Sequence, residues 1–154
     1  MIDVYTSIAG MSTETVLRLG CACATLRRAS RALTQGYESE LREHGVRASQ
    51  FTILQVLSQA GEMTQGTLGE VLAMDSTTLT RTLKVMARSG WIAQRPGKDR
   101  RERLVRLSSC GKKKMQEALP AWNESQQDLR SKLGTNHWEQ LETLLNQIVD
   151  ITAK

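Results

Sequence analysis

One short stretch of the chain combines small hydroxyl side chains with long cationic ones, the combination that suits DNA binding. The major groove of a duplex admits one helix, which reads base edges through hydrogen-bonding side chains on one face. In DSTTLTRTLKVMARSG, helical spacing places Leu79, Leu83 and Met86 on one face and polar or cationic residues on the other. The residues of this stretch that we expect to bind DNA are Ser76, Thr77, Thr78, Thr80, Arg81, Lys84 and Arg88.

The side chains of this helix suit different parts of the duplex. Hydroxyl groups near the helix start can contact phosphates or base edges, and Arg81 can make a bidentate contact with guanine, worth ~1–3 kcal/mol of discrimination. Lys84 and Arg88 are expected to meet phosphates. The alternative is an ordinary solvated helix face.

A basic turn follows in PGKDRRE, between the strand-like segments WIAQR and RLVRLS, and predicts a two-stranded hairpin, or wing. Arginine at its tip suits the negative potential of a narrow minor groove. Since phosphates repel a carboxylate, we expect Asp99 to orient Arg101 or Arg103 instead. The alternative is a merely soluble turn. The hairpin residues assigned to the DNA-binding site are Lys98, Asp99, Arg100, Arg101 and Arg103.

The charge of the chain is concentrated in the same region. The 154 residues have a formal net charge of +5, and twelve Lys or Arg against two acidic residues lie between Arg81 and Lys114. Such a concentration favours a polyanionic partner, double-stranded DNA above all. The three cysteines are too few for a disulfide-stapled secreted domain. With no export signal and no apolar run of about 20 residues, the chain is predicted to be cytoplasmic, without a membrane partner.

Helices must position these groups. The first carries an apolar seam and ends near His44, the second is SQFTILQVLSQAG with Ser49 as its cap, and a short third begins at Thr64. The next starts at Asp75 or Ser76, and two short helices joined this tightly indicate a helix-turn-helix. The residues of the seam are Val16, Leu19, Cys23, Leu26, Leu33 and Tyr37, with Ser30 between them.

Two further amphipathic helices follow the hairpin. One begins at Ser108 or Ser109 and should kink at Pro120; Gly134 ends it. The last carries Trp138, Leu141, Leu145 and Ile148 on one stripe. The predicted fold class is mainly α with a small β wing, a winged helix-turn-helix with N- and C-terminal dimerisation helices. Within one domain of residues 1–154, the predicted DNA-binding lobe is 46–108, and the dimerisation helices are 12–45 and 109–154.

Three segments resemble the MarR family of bacterial regulators: LTQGYESELREHGVRASQFTILQVL, MDSTTLTRTLKVMARSGWI and DRRERLVRLSSCG. The last looks like the family's Asp-x-Arg wing tip followed by a Leu-rich strand and a Ser/Thr–x–x–Gly helix start. The resemblance covers nearly the whole chain. It implies a homodimer whose first and last helices interlock, two winged lobes that read a pseudo-palindrome, and repression relieved by a ligand or an oxidant.

The cysteines leave several roles open. In the resemblance, Cys23 takes the position of the reactive cysteine of peroxide-sensing OhrR-type members, but Arg27 stands where those proteins have an aromatic residue. Cys23 is therefore a candidate for redox sensing, with a buried cysteine acting as a small hydrophobe as the alternative. Whether Cys110 approaches Cys23 is open. Cysteines two apart on a helix diverge, so no metal site is expected, and no cofactor is implied.

Other classes of function fit the sequence less well. The chain has no Gly-rich phosphate loop, no HExxH and no Gly-x-Ser-x-Gly, so an enzyme is not expected. The expected function is a sequence-specific regulator, a repressor in the first place. The alternatives are a sequence-independent architectural DNA-binding protein and an adaptor that docks another protein through its amphipathic helices. A small-molecule effector would bind a pocket lined by the first helix, Phe51 and Trp122.

Overall fold

The protein is mostly helical, as the sequence predicts. The computed structural model describes residues 20–99 and 102–152. A single 3₁₀ turn, Arg42–His44, follows the first helix. The α-helices of the described chain are α1 (Ala22–Leu41), α2 (Ala48–Ala60), α3 (Gln65–Val71), α4 (Ser76–Arg88), α5 (Ser109–Leu133) and α6 (Thr135–Thr152), and its strands are β1 (Met63–Thr64), β2 (Ile92–Pro96) and β3 (Arg103–Leu107). The mainly α fold with a small β wing is confirmed.

The chain divides into two compact units within α1, one ending at Leu33 and the other beginning at Thr34. The core lies in the second unit. Phe51 of α2 is buried there, together with Val105 of β3 and Ala118 of α5. The apolar face predicted for α4 is also buried, through Leu79, Leu83 and Met86. These contacts fix α4 against the core by one face and leave the other exposed.

The sheet has three antiparallel strands in the order β1-β3-β2. The predicted hairpin is confirmed: Ile92 pairs with Leu107 at its base, and Pro96 pairs with Arg103 towards the tip. The sequence did not predict β1, whose Met63 pairs with Val105. Two residues are too few to show strand alternation, so β1 is defined only by its pairing with β3. The central strand β3 thus joins the wing to the chain before α3.

Side-chain caps define three helix starts that the sequence predicts. Each cap residue is extended, and its side-chain oxygen accepts a hydrogen bond from the backbone N–H group three residues later. Of the paired alternatives, Asp75 rather than Ser76 caps α4, and Ser108 rather than Ser109 caps α5. Thr64 caps α3.

The start of α2 differs from the prediction. Ser49 is not the cap, because the helix begins at Ala48. The N–H group of Arg47 donates to Oε1 of Gln50 over 3.0 Å, and the N–H group of Ala48 donates to Oε1 of Glu38 over 2.9 Å. Glu38 lies in α1, so the start of α2 is held both by the local Gln50 side chain and by a contact between two helices.

The C-terminal helices combine confirmed and untested predictions. Helix α5 continues through Pro120 to Leu133, and the kink at Pro120 stays a prediction. Gly134 ends α5 with a φ of 79°, as expected. Helix α6 has no buried residue, and Trp138 and Leu141 of its predicted stripe are only half-buried. In the described residues, no helix has both the length and the apolar character needed to cross a bilayer.

Candidate nucleic-acid interface

Helix α4 presents a polar and cationic surface opposite its buried face. The α3–α4 connection contains Ala73 at a φ of 48° and ends at the cap residue Asp75, and α3 packs against α4. Because Leu79, Leu83 and Met86 point into the core, the side chains on the opposite face of α4 point outward. All of the α4 residues assigned to the site are exposed, namely Ser76, Thr77, Thr78, Thr80, Arg81, Lys84 and Arg88.

The first turn of α4 is fixed by Asp75. Its Oδ1 accepts a hydrogen bond of 2.9 Å from the N–H group of Thr78. Hydrogen bonds from the side chain and backbone of Thr78 hold the pKa of Asp75 below its ordinary value. The carboxylate is therefore ionised at neutral pH and caps the helix. One consequence for the predicted site is that the Thr78 side chain already has a partner in the free protein.

The sequence gives no sign of a contact between α3 and the exposed face of α4. Gln65, the first residue of α3, donates a hydrogen bond from Nε2 to Oγ1 of Thr80 over 2.7 Å. Gln65 is half-buried and Thr80 is exposed. The two residues are 15 positions apart, and no helical or strand periodicity relates them. Only the packing of α3 on α4 could have revealed the pair.

The wing is closed by backbone hydrogen bonds near its tip. The Gly97 N–H group donates to the Glu102 carbonyl over 2.9 Å, and the Glu102 N–H group donates to the Asp99 carbonyl over 3.0 Å. A Cβ at position 97 would lie 2.6 Å from Cβ of Glu102, so the turn requires glycine there. Lys98 and Asp99 are exposed at the tip.

The structure describes only one of the three wing arginines that were predicted to bind DNA. Arg100 and Arg101 lie outside the described residues. Arg103 is exposed at the start of β3, opposite Pro96. The orientation of Arg101 or Arg103 by Asp99 therefore stays a prediction.

An ion pair holds the wing to the chain between α2 and β1. Arg95 of β2 donates to both carboxylate oxygens of Glu62, from Nε to Oε1 over 3.0 Å and from Nη2 to Oε2 over 2.5 Å. These hydrogen bonds lower the pKa of Glu62 and raise that of Arg95. Because its guanidinium already has a carboxylate partner, Arg95 contributes less to the positive surface than its charge suggests.

An open groove runs beside α4, between α3 and the wing. Its walls bear charges of both signs, since Glu70 of α3 and Glu102 of the wing also line it. The groove brings α4 and wing residues of the predicted site onto one surface, and those that line it are Ser76, Thr80, Lys84, Arg88 and Arg103. Thr77, Thr78, Arg81, Lys98 and Asp99 are exposed but do not line it.

The end of α4, the wing and the start of α5 meet at one junction. Oγ of Ser108 donates to the Gly90 carbonyl over 2.5 Å and accepts from the Gly111 N–H group over 2.9 Å. The Ser108 N–H group donates to the Trp91 carbonyl over 3.0 Å. Gly90 has a φ of 73°, which ends α4 and turns the chain into β2. Through these contacts α5 is attached to the C-terminal end of α4.

The cysteines are exposed in the isolated chain. Cys21 directly precedes α1, Cys23 lies in the first turn of α1, and Cys110 lies in the first turn of α5. Cys23 was predicted to lie on an apolar seam; its exposure leaves the thiol accessible. Among the described residues, no group of three or more His, Cys, Asp or Glu is arranged to hold a metal ion.

The aromatic pair proposed to line an effector pocket is in contact. The rings of Phe51 and Trp122 have centroids 5.8 Å apart and planes tilted by 33°. Phe51 is fully buried and Trp122 is half-buried. Phe51 therefore belongs to the core of the second unit, and the effector pocket stays a prediction.

Comparison with known proteins gives consistent matches. The sequence profile of the MarR family matches residues 44–102. An uncharacterized HTH-type transcriptional regulator of Bacillus subtilis, YwoH, is 33% identical over 92 residues, which cover 60% of this chain and 67% of YwoH. The M. tuberculosis transcriptional regulator MosR, solved in complex with DNA, is 33% identical with a TM-score of 0.77 over 85% of this chain and 95% of MosR. A mutant of E. coli MarR, solved with operator DNA, shares the fold at 24% identity, with a TM-score of 0.74 over 82% of this chain and 91% of that one.

Proposed function

This chain belongs to the MarR family of transcriptional regulators, and we propose that it is a homodimeric repressor that binds a pseudo-palindromic DNA operator. The observation that carries the proposal is the exposed face of α4, where hydroxyl and cationic side chains stand beside a basic wing. A surface of this chemistry suits a major groove flanked by phosphates. The proposal includes no catalytic activity, and it places the protein in the cytoplasm.

In this proposal α4 enters the major groove and the wing follows the neighbouring minor groove. Arg81 reads guanine, and Lys84 and Arg88 bind phosphates. That MosR, a protein 33% identical to this one, was solved in complex with DNA supports DNA binding by this chain. The residues proposed to form the interface are Ser76, Thr77, Thr78, Thr80, Arg81, Lys84, Arg88, Lys98, Asp99, Arg100, Arg101 and Arg103.

The proposed dimer is formed by residues 12–45 and 109–154, with residues 46–108 as the DNA-binding lobe. Its support is the apolar surface of α6. Val149 is 56% exposed and Ile151 is 80% exposed, and Leu144, Leu145 and Ile148 are also exposed. Apolar side chains concentrated on one helix favour contact with a partner surface over contact with water. A second copy of the chain would cover them and would hold two α4 helices for the two halves of the operator.

Release from DNA would follow the binding of a small ligand or the oxidation of a cysteine. For the oxidant route we propose Cys23, because in the resemblance to the family it takes the position of the reactive cysteine, and its thiol is exposed. Since residues 12–45 also belong to the proposed dimer, a change there could alter the spacing of the two α4 helices. The route through a ligand rests on the resemblance to the family.

A footprinting experiment tests the proposal. DNA sequences bound by the protein are enriched from a randomised library, and the enriched duplex is then cleaved with a nuclease in the presence of the protein. A dimeric regulator should protect two related half-sites whose centres lie about 10 base pairs apart, one helical turn. Enrichment of no common sequence, with uniform coating of any duplex, would overturn the proposal and favour an architectural protein.

The oxidant route has its own test. The nuclease cleavage of the same duplex is repeated with protein that has been exposed to an organic hydroperoxide. Loss of protection that is prevented by Cys23→Ser and retained in Cys110→Ser would support sensing by Cys23. Loss that persists in Cys23→Ser would assign sensing to a residue other than Cys23. Unchanged protection of the wild-type protein would eliminate the oxidant route and leave the ligand route.

A further inference from the structure

The hydrogen bond between Gln65 and Thr80 lies on the surface proposed to face DNA. Both residues line the groove beside α4, together with Lys84. Thr80 lies three residues after Thr77 and four before Lys84, so the three share one face of the helix. A side chain placed there can reach a base edge if α4 occupies a major groove.

The hydroxyl group of Thr80 is oriented differently from those of three other threonines within helices. Thr52, Thr82 and Thr143 each donate to the carbonyl group four residues earlier, over 2.8 to 3.0 Å. Thr80 makes no such bond to Ser76 in the described structure; its Oγ1 accepts from Gln65 instead. A hydroxyl group has one proton to donate and two lone pairs. Because Gln65 occupies a lone pair, the proton of Thr80 remains available to a partner outside the chain.

We propose that Gln65 is a positioning residue that fixes Thr80 as a hydrogen-bond donor to a base in the major groove. The proposal rests on the function proposed above. In the major groove, guanine N7 and O6, adenine N7 and thymine O4 accept hydrogen bonds, whereas adenine N6 and cytosine N4 donate them. With its proton directed outward, Thr80 favours an acceptor atom. Gln65 thus contributes to sequence preference without contacting the base itself.

Reversal of the Gln65–Thr80 hydrogen bond is the sharpest test. In Gln65→Glu a carboxylate of nearly the same shape accepts the Thr80 proton, so the hydroxyl presents lone pairs to the duplex. Gln65→Met removes the hydrogen bond, Thr80→Val removes the hydroxyl, and Thr80→Ser retains it. Gln94→Glu is the matched control for charge, since Gln94 is an exposed residue of β2 that lines the same groove.

The measurement is the dissociation constant for the enriched duplex and for each of its single base-pair substitutions, by fluorescence anisotropy. We expect Thr80→Val and Gln65→Met to reduce the preference at the same base pair by about two- to tenfold, the range of one hydrogen bond. Gln65→Glu should shift the preference there towards a donor-bearing edge. Thr80→Ser should keep the wild-type preference, and Gln94→Glu should weaken binding to all duplexes by one common factor.

Two results would overturn the inference while leaving the proposed function intact. One is a wild-type preference profile in Thr80→Val, which would mean that Thr80 reads no base. The other is a changed profile in Thr80→Val with an unchanged one in both Gln65 variants, which would mean that Gln65 does not position Thr80. If the wild-type protein shows no preference for any duplex, the proposed function itself fails, and this inference fails with it. Thermal unfolding of each variant shows that the fold is retained.

Discussion

The backbone carbonyl oxygen of Trp91 lies 2.0 Å from the point that a Cβ of residue 111 would occupy. Gly111 is buried there, at the junction of α4, the wing and α5. The obstructing atom belongs to the backbone, so no rotation of a side chain can relieve the overlap. Close approach thus explains the glycine of the SSCG segment, and α5 is attached firmly to the lobe that carries α4.

Replacement of Gly111 by alanine should therefore destabilise the protein. The added methyl group should force α5 away from Trp91. This should lower the free energy of unfolding by about 1–3 kcal/mol or more, as in other overpacked cores. Thermal or urea unfolding followed by circular dichroism measures the change. Gly36→Ala is the control, because the position is exposed within α1 and has open space around it. That variant should gain about 0.5–1 kcal/mol from helix propensity. Equal stability of Gly111→Ala and the wild-type protein would contradict the account of this junction.

Ser108 provides a second test of the same junction. Ser108→Ala removes the cap on the Gly111 N–H group and the hydrogen bond to the Gly90 carbonyl. The loss of a cap costs about 0.5–2 kcal/mol of unfolding free energy. Ser109→Ala is the matched control, since Ser109 is exposed and only begins the helix. Chemical denaturation should separate the two variants, and a larger loss in Ser109→Ala would show that the cap was assigned to the wrong serine.

The sequence predicted the elements whose signals are local. The helical periodicity of apolar and polar residues predicted α4. The caps Thr64, Asp75 and Ser108 were predictable because each acts within the first turn of its own helix. The start of α2 could not be predicted in the same way. Its Ala48 N–H group is satisfied by Glu38, which approaches only after α1 and α2 have packed.

In the candidate site, too, features with a local sequence signal could be predicted, whereas contacts between separate elements could not. Periodicity identified the exposed residues of α4, and turn composition identified the wing. The Gln65–Thr80 and Glu62–Arg95 contacts join residues 15 and 33 positions apart. Since each depends on how separate elements pack, neither residue type nor spacing could indicate them.

The pKa of Asp75 predicts how acid affects the helix that carries the site. A carboxyl whose pKa is lower in the folded state stabilises the protein above its unfolded pKa, and this stabilisation is lost as the pH falls through the folded value. We expect Asp75→Asn to be less stable than wild type at pH 7 and the difference to shrink below about pH 4. Unfolding curves measured from pH 7 to pH 3 test this. Asp150→Asn, an exposed change in α6, controls for the loss of one carboxylate, and a constant difference across the range for Asp75→Asn would contradict the prediction.

The proposed dimer predicts a concentration-dependent assembly that depends on α6. Ile148→Glu places a charge among the exposed apolar residues of that helix and should convert the dimer to monomer at micromolar concentration. Light scattering after size exclusion measures the mass. Gln140→Glu, at an exposed polar position of α6, should remain dimeric. A wild-type protein that is monomeric at these concentrations would contradict the prediction.

In the proposed function, the exposed face of α4 reads a DNA sequence. The most direct measurement compares the affinity for the enriched duplex and for a scrambled duplex of the same composition, in wild type, Arg81→Ala and Lys84→Ala. We predict that wild type prefers its duplex by about a thousandfold or more. Arg81→Ala should lose about fivefold or more of that preference. Lys84→Ala should weaken binding to both duplexes by the same factor and lower the salt dependence. Equal binding of both duplexes by wild type, or a preference unchanged in Arg81→Ala, would contradict the claim.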